Sequence, residues 1–142
     1  MSEFRKVWHN ITLEGAKHVR DHALITASEL GLSVSVVIVD RAGIILLMET
    51  ADSAPPGASE ASIMKAKGAA RYRIATHATA EYVKMLPAQL AQHALSLPEV
   101  CAFHGGAPIQ IEGEVVGGVG VSGGSGEQDT AIALAAAASV KG

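Results

Sequence analysis

Apolar residues recur at Ala16, Val19, Ala23, Ala27 and Leu30, three or four apart, the stripe of one helix face. Thr12 stands where an N-cap belongs and Gly31 where a helix stops, so the first predicted element runs from Thr12 to about Leu30. The period then changes. Val34 to Val39 is rich in β-branched residues, Asp40-Arg41-Ala42-Gly43 is a turn, and Ile44 to Met48 returns, which predicts a β-hairpin. After the loop Ser53-Ala54-Pro55-Pro56-Gly57, Ser59 is placed to cap a helix from Glu60 to Arg73. A further helical stretch starts near Thr79 and ends before Pro87, and a short one covers Ala88 to Leu95. Beyond Pro98, Val100 to Phe103 is a short apolar piece with weak strand character. Ala107 to Ile111 and Val115 to Ser122 flank the turn Glu112-Gly113-Glu114 as a second hairpin, and Glu127 to about Val140 is the last helix.

Two hairpins with helices between and around them predict an α+β fold, an antiparallel sheet covered by helices, as one domain over residues 1–142. Composition sharpens this. Hydrophobic residues are 49% but aromatics only 4%, so the core is built from Ala, Val, Ile and Leu. The net charge of -3 and the lack of a basic block argue against nucleic acid as a partner. A single cysteine, Cys101, excludes an intrachain disulfide. The opening residues hold no apolar signal core and no run reaches transmembrane length, so the expectation is a cytoplasmic protein without membrane contact.

The segment from Gly105 to Asp129 is where chemistry is expected. Gly118 to Gly123 fits G-x-G-x-x-G, but those glycines lie inside a predicted strand and no second βα unit follows, so a dinucleotide site is rejected. Gly105-Gly106, followed by Pro108, allows close backbone approach and a nest of N–H groups for an anion. His104 is then a titratable group at the rim of a pocket. Ser122, Gly123 and Gly124 lead into the last helix, whose N-terminus favours a carboxylate or phosphate, with Asp129 in its first turn. The simpler reading is that Ser125 or Asp129 caps the helix and the glycines make a tight turn.

Other candidates are weighed against bland readings. His18 and His22 are four apart on the first helix, a workable metal clamp, yet they face away from the apolar stripe as solvated histidines do. Cys101 and His104 have C-x-x-H spacing, though a lone cysteine is most often a buried structural one. Lys65, with Lys67 and Arg71 nearby, sits on the middle helix. Helical lysines are usually solvated, and only a buried one would act as a base or carboxylate anchor.

Four pieces together resemble the GlcG/HbpS family, which includes heme-binding proteins and the carboxy-terminal domain of PduO-type proteins. They are Val37-Ile38-Val39-Asp40 with Arg41-Ala42-Gly43; Lys65-Ala66; Gly105-Gly106-Ala107-Pro108-Ile109; and Gly117 to Gly124 with Gln128-Asp129. The resemblance implies a profilin-like fold, a homo-oligomer and, for some members, heme as the cofactor, with His18, His22 or His104 as axial ligand. One departure is Gly68, where the family often has threonine, which implies that a contact of that residue is missing here. Two functions follow. The first is binding of heme or a related carboxylate-bearing small ligand. The alternative is a cofactor-independent isomerase or hydrolase acting on a carboxylate metabolite of a catabolic pathway, in which His104 or Lys65 moves the proton.

Overall fold

A computed structural model describes residues 2–140. The element order is α1 (Leu13–Glu29), β1 (Ser35–Asp40), β2 (Ile45–Thr50), α2 (Ala58–Tyr72), α3 (Thr76–Lys84), α4 (Ala88–Leu95), β3 (Gly106–Ile111), β4 (Glu114–Ser122) and α5 (Gly126–Ala138). The four strands form one antiparallel sheet in the order β2-β1-β4-β3. The predicted α+β architecture is present, with its two hairpins joined through the central β1–β4 pair.

Local chemistry explains most limits. Thr12 caps α1, accepting from the Gly15 N–H at 3.0 Å. The Asp40 carboxylate closes the first hairpin turn by accepting from the N–H groups of Ala42 (2.9 Å) and Ile44 (3.0 Å). In the second hairpin Glu112 and Gly113 both have positive φ, 52° and 80°, as a tight I′-type turn requires. Ser125 caps α5 and exchanges hydrogen bonds with Gln128 in a capping box.

Three expectations need correction. Ser59 is not the cap of α2; that helix starts at Ala58 behind Gly57, and the Ser59 hydroxyl donates to the Pro56 carbonyl. The third helix starts at Thr76, ahead of Thr79, because Ala75 already supplies the extended residue that opens it. Val100 to Phe103 is not a strand: Glu99 has a φ of 63°, which turns the chain and buries Cys101 against α2.

The sheet is sandwiched. Val36, Ile38, Val119 and Val121 point to one face and pack with α1 and α5. Val37 and Val39 point to the other and pack with Ala66 and Ala70 of α2. β4 alternates with period two, so Gly118 and Gly120 lie on the α2 face. A Cβ at Gly118 would come within 2.5 Å of the Ala66 carbonyl, and one at Gly120 within 2.6 Å of the Ala66 nitrogen. These two glycines let α2 lie directly on the strand. α3 and α4 stand apart from this core: Thr76 is the only buried residue of α3, and α4 has none. Among the described residues no helix is long and apolar enough to cross a membrane.

Candidate functional site

α2, β4 and the start of α5 meet around a cavity of about 570 Å³. Ala61, Met64 and Lys65 come from α2, Ala102 to His104 from the segment before β3, and Ser122, Gly124, Gly126 and Asp129 from the β4–α5 junction. His104, Lys65, Ser122, Gly124 and Asp129, separate in sequence, therefore share one site. Ala61, Met64, Ala102 and Phe103 complete the lining, and nothing in their residue types marks them in the sequence.

Lys65 is the unusual member. It is 4% exposed, and Asp129 3%. The ammonium donates to the Val121 carbonyl at 2.8 Å and to Asp129 Oδ2 at 3.2 Å. Asp129 Oδ1 in turn accepts from the Gly124 N–H at 2.8 Å. Burial of either charge alone is costly, and the pair is retained because each partner neutralises the other. At the start of α5 the capping alternative is what the hydrogen bonds form: the Asp129 carboxylate accepts from the Gly124 N–H, Gln128 Oε1 from the Ser125 N–H, and Ser125 Oγ from the Gln128 N–H.

His104 is half-buried at the cavity wall, its ring edge-on to His77 with centroids 6.3 Å apart. The other glycine and proline candidates lie behind the lining. Gly105 has a φ of 120°, and a Cβ there would come within 2.8 Å of Asp129 Cβ and 3.0 Å of Lys65 Nζ. The Gly106 N–H donates to Thr76 Oγ1 at 2.8 Å, so it is not free for an anion. Pro108 sits in edge strand β3 opposite Gly118, and Gly123 packs on Ser33 and Val34.

Cys101 is buried, and burial pushes its thiol pKa up, partly offset by its contact with the Phe103 carbonyl and by the Lys65 charge. It is a packing residue, not an activated nucleophile. It also closes the Gly68 position, where a Cβ would lie 2.8 Å from Cys101 Cβ. His18 and His22 are both exposed on α1; His18 Nε2 is 3.2 Å from the Ser139 carbonyl in a groove with Gly15 and Val140. No group of three or more His, Cys, Asp or Glu among the described residues could hold a metal ion.

A family model described as haem degrading protein HbpS-like matches residues 11–138. The chain belongs to the HbpS-like family. An uncharacterized 15.0 kDa protein of the dhaT-dhaS intergenic region of Citrobacter freundii is 33% identical over 123 residues, 87% of each chain. The Klebsiella pneumoniae protein ORFY superposes with a TM-score of 0.87 at 29% identity, covering 98% of this chain and 95% of its own. A PduOC:heme complex superposes with a TM-score of 0.81 at 31% identity, covering 92% of this HbpS-like chain and 95% of its own.

Proposed function

We propose that this HbpS-like protein binds heme, or a related planar ligand carrying carboxylates, as a homo-oligomer. The observation that carries the reading is the similarity to a protein solved with heme, over 92% of this chain. The cavity chemistry fits such a group. Met64, Phe103, Ala61 and Ala102 offer apolar contact, and His104 offers an imidazole beside them. Bound heme would supply an iron that imidazole or thioether side chains can ligate. His104 would hold it, Met64 and Phe103 would shield it from water, and the Lys65–Asp129 pair would keep the cavity floor rigid. His18 is the competing imidazole. It is exposed, so a ligand there would need cover from a second subunit.

A second reading draws on the buried Lys65–Asp129 pair beneath His104. That arrangement also suits an isomerase or hydrolase for a small carboxylic acid, in which His104 moves a proton.

Titrating the purified protein with hemin separates these. Heme binding predicts a shifted Soret band that saturates and is lost in His104→Ala. Loss in His18→Ala instead would move the site to the α1–α5 groove. No shift at stoichiometric hemin would remove the heme reading. Exchange of α-protons of small carboxylic acids in D₂O, lost in His104→Ala, would then support the enzyme.

A further inference from the structure

A second cleft lies at the other end of α2 and shares no lining residue with the His104 cavity. It holds about 240 Å³ and is lined by Trp8, Arg41, Ala42, Ala70, Arg71 and Arg73. Three guanidinium groups and the chain's single tryptophan converge there.

Two of the three arginines are held in place. Arg41 stacks under Trp8, its Cζ 4.0 Å from the ring centroid, and NH1 donates to Glu114 Oε2 at 2.6 Å. Its Nε is buried and donates to nothing among the described residues. Arg71 lies along the first hairpin turn. Its NH1 donates to the Ala42 carbonyl at 3.2 Å, and its Nε is 3.1 Å from Glu99 Oε2. Gly43 makes room for it, since a Cβ there would come within 3.1 Å of Arg71 Cδ.

Arg73 is different. It caps α2 with a φ of 58°, a left-handed conformation that glycine or asparagine adopts at lower cost. It makes no ion pair among the described residues. Arg73 is exposed and lines the cleft with its guanidinium unpaired, at a helix end that glycine or asparagine would fill at lower cost.

Charge agrees. Lys6 lies 4.7 Å from the Trp8 ring centroid, and Lys67 lies with Arg71 against Gly43. Glu114 and Glu99 pair with Arg41, and with Lys67 and Arg71. Asp40 is engaged by its own turn. The cleft stays net positive, and pre-positioned guanidinium forks match the oxygens of carboxylate and phosphate.

We propose that the Trp8–Arg41–Arg71–Arg73 cleft is a second ligand site, one that takes a small oxyanion, the phosphate or carboxylate group of a metabolite. The inference is independent of the heme reading.

Trp8 reports on it directly. The full chain is titrated with sodium phosphate, and separately with sodium malonate, against sodium chloride at equal ionic strength, reading tryptophan emission and calorimetric heat. A saturable response to phosphate alone assigns a phosphate group, to malonate alone a carboxylate, and to both an oxyanion of either kind. Arg73→Asn, which tolerates the left-handed backbone, and Arg71→Gln should each abolish saturation, while His104→Ala leaves it intact. Absence of both emission change and heat, a response matched by chloride, or binding that survives Arg73→Asn and Arg71→Gln would overturn the proposal.

Discussion

Removing the Lys65 ammonium while leaving Asp129 in place strands a buried carboxylate, because only the Gly124 N–H remains to it. Lys65→Met is therefore expected to lower stability by about 3–5 kcal/mol, measured by urea unfolding. Combining it with Asp129→Asn, which keeps an acceptor for Gly124 and sheds the charge, should recover much of that. A loss in the single variant below about 1 kcal/mol, the range of exposed pairs, would show that the two charges are not desolvated. At this scale the sequence exposes residue type but not depth. Lys65 reads as an ordinary helical lysine until α2 is laid on the sheet. His104, Ser122, Gly124 and Asp129 stand out beforehand through their glycine neighbours, whereas Met64 and Phe103 become recognisable only once the 102–104 segment is folded beside α2.

Among the elements, those with local signals are legible in the sequence. α1 has its Thr12 cap and α4 its preceding proline, and both match expectation. α2 and α3 have no side-chain cap, so their starts are set by packing and lie two or three residues ahead of the predicted ones. The role of the β4 glycines is not legible locally. They look permissive in sequence, but their function is the absence of a side chain on one face, which depends on a helix over 40 residues away in sequence. Gly118→Ala tests this. The added methyl meets the Ala66 carbonyl and Ala70, so a loss of about 1–3 kcal/mol is expected, read as a lowered unfolding midpoint. An unchanged midpoint would mean that α2 can lift from the strand without penalty.

For the molecule as a whole, the two helices outside the sandwich bury little and leave large apolar side chains in solvent. Tyr82, Met85, Leu90, Leu95 and Leu97 are 48–82% exposed on or beside α3 and α4, and Phe103 is 70% exposed at the cavity. Exposed apolar side chains on these two packed helices suit a face between copies, in keeping with the proposed homo-oligomer. Light scattering at micromolar concentration should give a mass that is a multiple of 14.6 kDa, with Met85→Glu or Leu90→Glu reducing it. A monomer mass for the unsubstituted chain would count against assembly. The bare face of β4 has a consequence that reaches the cavity. Ser62 and Ala66 rest on Gly120, and they flank Lys65 in the helix. The missing methyl groups thus act as a depth gauge: the sheet sets how far the ammonium sinks toward Val121, and thickening it by one carbon atom would raise the cavity floor.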